Sequence, residues 1–283
     1  MCSRKEDEIS IFQKVKCSSK NTYRYGVFVS VEISQLVVLA CASLFAGFID
    51  SVVGGGGLIQ IPALFSVLPK EVPATLFGTN KIASVFGTSN AAWRYANRVT
   101  MPWGTILPAA IAAFAFSYVG AMAVAWLPRE LLRPMILVML VGSAAYTFCR
   151  KDFGSIHRPQ HTGAREFAYA LVVGGALGFY DGFFGPGTGS FLIFLFIRFF
   201  GFDFLHASAA SKVVNVATNL AAIAYFVPNG FFLPLAAIVM ATGNIAGSFI
   251  GTHLALRHGS GFVRQVFLAV VGALIVKFAW DTF

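Results

Sequence analysis

Four ionisable side chains lie deep inside apolar stretches of this 283-residue sequence: Asp50, Lys81, Asp181 and Lys212. A charge near the centre of a bilayer costs about 2.5 to 3.5 kcal/mol on insertion scales, so four unpaired ones facing lipid would cost on the order of 10 to 14 kcal/mol. They must face the protein interior, pair with one another or line a wet cavity. One reading makes them two structural ion pairs, Asp50 with Lys81 and Asp181 with Lys212. The other places them on the path of a charged substrate, and their neighbours favour it. Ser84 and Thr88 follow Lys81 at i+3 and i+7, and Asn215 and Asn219 follow Lys212 at the same spacing. Each set falls on one helical face. A lysine ammonium backed by hydroxyl and amide donors suits an oxyanion, and simple pairing needs no such stripe.

Two glycine clusters add to this. Gly54-Gly55-Gly56-Gly57 and Gly185-Pro186-Gly187-Thr188-Gly189 each open a short apolar segment. Glycine permits the irregular backbone that a loop at membrane depth requires. The helix N-terminus behind such a loop offers free N–H groups and a positive dipole end to an anion. Close helix packing is the plainer reading. Neither cluster has the GxxxxGK[ST] pattern of a phosphate-binding loop, and no strand precedes them. The candidate substrate-binding set is therefore Lys81, Lys212, Ser84, Thr88, Asn215, Asn219, Gly54, Gly55, Gly56, Gly185, Gly187 and Thr188. Asp50 and Asp181 either hold the lysines or take up a coupling proton when the site empties.

The elements that position these residues come in two sets. A shift of about 131 positions lays the second half of the chain on the first. Gly47-Phe48-Ile49-Asp50 falls on Gly178-Phe179-Tyr180-Asp181, Lys81 on Lys212, Ser117 on Ser248, Gly120 on Gly251 and Arg133 on Arg264. Apolar runs lie at about 31–50, 56–69, 74–93, 103–126 and 131–149, and again at about 166–181, 188–202, 205–227, 232–256 and 262–280. A helical crossing needs about 20 apolar residues. The second run of each half is too short and follows a glycine cluster, the pattern of broken or re-entrant helices at a transport site. The expected fold is an all-α polytopic membrane protein of two homologous repeats, with about eight crossings and two short glycine-opened segments; ten crossings in two inverted sets of five are the alternative. Residues 1–30 form a polar basic tail, 31–150 the first repeat, 151–165 a basic linker and 166–283 the second repeat. The tail reads as cytoplasmic, and a surface helix is one form for it.

Composition supports this class. Hydrophobic residues make up 57% of the chain and charged ones only 12%, where a soluble domain carries about 25%. Mean hydropathy is +0.73. A soluble enzyme, a nucleic-acid-binding module and a disordered chain are all excluded. The net charge of +9 sits mostly in the tail and between apolar runs, as in cytoplasmic loops. The cysteines and histidines show no metal-ligand spacing, and no HExxH or GxSxG motif appears, so no metal, cofactor or enzymatic activity is expected. Gly243, Gly247 and Gly251 read as a helix-packing face. Trp93 and Trp103 read as interfacial anchors.

The chain resembles the sulfite-exporter-type TauE/SafE family, also called the toluene sulfonate uptake permeases, over about residues 36–281. The resemblance rests on Ala46-Gly47-Phe48-Ile49-Asp50-Ser51 with the four following glycines and Pro62, and on Gly78-Thr79-Asn80-Lys81. In the second half it rests on Gly178 through Pro186, on Lys212 to Asn219, and on Gly243-Asn244 through Gly251. It implies a duplicated multi-pass permease of the cell (inner) membrane for sulfur-containing anions such as sulfite or organosulfonates. The residues alone are also compatible with a passive anion channel, or with a structural or enzymatic membrane subunit. Expected partners are a small anionic substrate and the lipid bilayer, with protons or sodium as candidate coupling ions, a homo-oligomer as one assembly state, and no nucleic acid.

Overall fold

The computed structural model describes residues 8–16, 23–125 and 163–282. The fifth apolar run of the first half and most of the linker lie outside the described residues. Ahead of the helices, β1 (Glu8–Lys16) and β2 (Tyr23–Glu32) form an antiparallel hairpin in which Ile9 faces Val31 and Ile11 faces Val29. The tail is therefore extended here and not a surface helix. Its β-branched residues recur at every second position (Val27, Val29, Val31), which is the period of a strand.

Eight helices follow among the described residues: α1 (Ile33–Val53), α2 (Gly57–Val67), α3 (Pro73–Ala96), α4 (Trp103–Ala125), α5 (Ala164–Phe183), α6 (Thr188–Phe200), α7 (Phe204–Phe226) and α8 (Pro234–Thr282), the last bent at Gly259. Helices α1 to α4 start at residues 33, 57, 73 and 103, and α5 to α8 start at 164, 188, 204 and 234. Every start in the second set lies 131 positions after its counterpart.

Among the described residues, three helices are long and apolar enough to cross a membrane: α1, α4 and the Pro234–Val263 portion of α8. Helices α3, α5 and α7 have the length, at 24, 20 and 23 residues. Their polar residues lower the apolar average; α3 alone carries Thr79, Asn80, Lys81, Ser84 and Thr88. Short α2 and α6 are each entered through positive-φ glycines, Gly54 and Gly55 before α2 and Gly185 and Gly187 before α6.

The helices interlock across the two halves. Helix α1 packs on α8, α5 packs on α4, and α3 and α7 pack on each other between them. Small residues allow the approach: a Cβ on Gly247 would meet the Leu44 carbonyl oxygen at 1.8 Å, and one on Gly182 would meet that of Ser117 at 1.9 Å. The Gly243, Gly247 and Gly251 face of α8 is a packing face against α1. Outward surfaces are apolar, with Val37, Phe45, Ile111, Val172, Ile238 and Phe249 all exposed. Inside, Lys81, Asp181, Lys212, Asn80, Gln60 and Thr88 are buried. This arrangement inverts a soluble protein and fits lipid outside. Trp93 and Trp103 are exposed at either side of the α3–α4 turn.

Candidate functional site

The two glycine loops meet back to back. A Cβ on Gly54 would lie 2.3 Å from the Gly189 carbonyl carbon, and one on Gly57 would lie 3.3 Å from Pro186 Cα. The α1 end of this junction is pinned by side chains. The last carbonyls of a helix lack intrahelical donors. Here Tyr95 Oη donates to Ser51 O at 2.9 Å, Ser208 Oγ to Val52 O at 2.8 Å, and Ser190 Oγ to Val53 O and Gly54 O at 3.1 and 2.9 Å. Donors from α3, α7 and α6 thus hold the loop that opens α2.

Helices α3 and α7 bring the lysines to this junction. Lys81 Nζ lies 2.5 Å from Asp181 Oδ2, and Lys212 Nζ lies 3.1 Å from Asp50 Oδ2. Each pair joins one half of the chain to the other. The pairing within halves, Asp50 with Lys81 and Asp181 with Lys212, is therefore not what forms. Asp50 and Asp181 sit near the C-terminal ends of α1 and α5, where the two glycine loops meet, and there each reaches the lysine of the other half.

The two pairs differ. Asp50 accepts the Gly56 N–H at 3.3 Å and the Thr88 hydroxyl at 3.4 Å in addition to Lys212. Asp181 accepts Lys81 and, among the described residues, no second donor. Lys81 also faces the second glycine loop, where a Cβ on Gly185 would come within 3.3 Å of Nζ.

A cavity of about 30 Å³ opens at this meeting point. That is space for roughly two water molecules. From the first half it is lined by Asp50, Gly55, Gly57, Asn80, Lys81, Ser84 and Thr88, and from the second by Asp181, Gly185, Thr188, Gly189, Asn215 and Asn219. Of the sequence-derived candidates, the structure gathers Lys81, Ser84, Thr88, Asn215, Asn219, Gly55, Gly185, Thr188, Asp50 and Asp181 on the wall. Gly54, Gly56 and Gly187 shape the loops behind it. Lys212 is fully buried behind the wall, held by Asp50.

Two further residues belong to this site. Gln60, wholly buried in α2, accepts from Ser84 Oγ at 2.9 Å and donates to Ser43 Oγ at 2.6 Å, and Ser43 donates to Met240 O at 2.5 Å. This chain fixes Ser84 and braces α2 against α1 and α8. A lone glutamine in an apolar run behind a glycine cluster is a readable signal. Asn80 is 4% exposed, lines the cavity, and its side-chain carbonyl oxygen has no hydrogen-bond partner among the described residues. A buried acceptor without a donor is uncommon. The sequence shows an asparagine beside Lys81 but not that it goes unpartnered.

An apolar outer surface around a charge-paired polar cavity fits a helical membrane protein with a polar interior. Comparison with known proteins narrows this. The TauE family, described as sulfite exporter TauE/SafE, matches residues 39–278. The probable membrane transporter protein ORF9 of a Sinorhizobium species is 33% identical over 247 residues, covering 87% of this chain and 93% of that one. The probable membrane transporter protein YfcA of Escherichia coli strain K12 is 30% identical over 87% of this chain and 90% of its own. A probable membrane transporter protein of Haemophilus influenzae is 30% identical over 89% and 97%. The chain belongs to the TauE/SafE sulfite-exporter family, and these relatives are named transporters, not enzymes. No solved structure matches it.

Proposed function

We propose that this protein is a secondary transporter, a multi-pass permease of the cell membrane, that carries a small sulfur-containing oxyanion such as sulfite or a short organosulfonate. The observation that carries the reading is the cavity at the meeting of the two glycine loops, with Lys81 as cation and Asn215, Asn219, Ser84 and Thr88 around it. Converging helix starts, Gly57 of α2 and Gly189 in the first turn of α6, add N–H groups and positive dipole ends suited to an anion. The small volume favours a compact anion. The recurrence of helix starts at a constant offset supports two homologous repeats, and rocking one set against the other gives access from either side. No nucleotide-binding motif is present in the sequence, so the driving force is an ion or substrate gradient.

The test is uptake of labelled sulfite, thiosulfate or sulfoacetate into proteoliposomes holding the purified full chain. A carrier gives flux that saturates with substrate and accelerates when unlabelled substrate is preloaded on the far side. Lys81→Met is expected to lower that flux at least tenfold while inserting normally. Normal flux in that variant removes the site assignment, and non-saturating flux with single-channel currents makes the protein an anion channel instead.

A further inference from the structure

Lys81 is the lysine on the cavity wall, and its charge is already taken. Its ammonium lies 2.5 Å from Asp181, and the two side chains are only 3% and 5% exposed. An anion that reaches Lys81 must share or displace that carboxylate. We propose that the displaced Asp181 takes up a proton, so that the protein moves one proton in the same direction as each anion. The inference rests on the transporter reading above and names its coupling ion.

Three features of the site support it. The first is that Asp181 has no second anchor. Asp50 would keep Gly56 and Thr88 as donors if it lost Lys212, whereas Asp181 has Lys81 alone among the described residues. A carboxylate stripped of its only partner in a buried site is stable chiefly as the neutral acid. The second is the surrounding charge. The groups facing Asp181 are Lys81 of α3 and, across the cavity, Asp50 of α1 with its partner Lys212 of α7; α4 and α6 contribute no charged residue to the cavity wall. Tyr180, its neighbour on α5, has its hydroxyl committed to Pro186 O at 2.7 Å. With Lys81 claimed by the anion, no other cation on that wall can take its place. The third is Asn80. Its buried carbonyl oxygen lines the same cavity with no donor among the described residues, and a protonated carboxyl on that wall is a donor of the kind it lacks.

The cycle balances. On the entry side the anion pairs with the Lys81 ammonium, and Asp181 carboxylate plus one proton from that side becomes the carboxylic acid. On the exit side the anion leaves, the acid releases its proton there, and the carboxylate returns to Lys81. No other group changes protonation. The proton is thus taken up as the site fills, the reverse of the order that the sequence alone suggested.

The experiment uses the full chain in liposomes clamped at zero voltage, with sulfite at alkaline pH, where the free anion carries no proton of its own. Entrapped pH dye counts protons while labelled sulfite counts anions. The wild type is expected to acidify the lumen by about one proton per anion and to concentrate sulfite several-fold on an inward proton gradient, beyond protein-free vesicles. Asp181→Asn is expected to bring the proton-to-anion ratio of its remaining flux to near zero. Wild-type flux without proton movement overturns the coupling but leaves the transporter reading intact. An unchanged ratio in Asp181→Asn overturns the assignment to Asp181. No flux of any tested sulfur oxyanion overturns both. If Asp181→Asn fails to fold, the wild-type ratio and its response to the gradient still decide.

Discussion

The sharpest test of the interlocked architecture is a double-mutant cycle on Lys212 and Asp50. At 3.1 Å and an effective dielectric of about 20, the two charges attract by about 5 kcal/mol before desolvation is subtracted. Removing one member of a buried pair costs about 3–5 kcal/mol, because the other charge is left without compensation. Lys212→Met should fall at the lower end, since Asp50 retains the Gly56 N–H and is 16% exposed at its side chain. Asp50→Asn should cost more, because Lys212 is fully buried with no other partner among the described residues. Removing both charges together should be far milder than the sum, giving a coupling of about 2 kcal/mol or more. The assay is reversible unfolding in mixed detergent–lipid micelles. A parallel cycle on Asp50 and Lys81, the pair suggested by proximity in sequence, should show less than half that coupling. Larger coupling in the second cycle would falsify the exchanged pairing.

Three other outcomes follow from the packing. Gly247→Ala drives a methyl into the Leu44 carbonyl and should lower stability by about 1–3 kcal/mol; Gly104→Ala, with nothing within 4 Å, should change it by less than about 0.5 kcal/mol, both read by the same unfolding assay. Gln60→Leu breaks the link from Ser84 to Ser43 and should raise the substrate KM several-fold with a smaller change in maximal flux, measured in proteoliposomes. Asp203, in the loop before α7, is pushed up by burial, but the His206 side chain and backbone N–H, with Ser260, outweigh this and hold its carboxyl below the usual carboxylate range. Its folded-state affinity for protons being lower, it stabilises fully above about pH 4, the ordinary aspartate value, and loses that contribution as pH falls further. Asp203→Ala should remove the α7 cap, costing about 1 kcal/mol at neutral pH and less in acid, read by thermal unfolding.

Much of the site was legible because charge and glycine are rare inside apolar runs. Asp50, Lys81, Asp181 and Lys212 stood out by cost alone, and the glycine clusters by their place before short segments. What could not be read was which aspartate meets which lysine. Partners 100 and 162 positions apart are set by how the two glycine loops meet, which is a matter of chain crossing and not of local pattern. Nor could it be read that, of two equally spaced and buried lysines, Lys81 lines the cavity and Lys212 lies behind it. At the position of Gln60 the second half has Phe191, so only the first carries the polar brace behind the wall. The hairpin of the tail was harder to read because its alternating β-branched residues are interspersed with basic and polar ones.

The interlocking also bears on biogenesis. When α1 leaves the ribosome, the glycine-rich face that will cover it belongs to the last of the described helices, made some two hundred residues later. Until then its packing groove has only lipid or the insertion machinery against it. Neither half can mature as an independent module, so the first must wait, inserted but unfinished, for the second. A truncated product lacking α8 would leave an unfilled seam along α1.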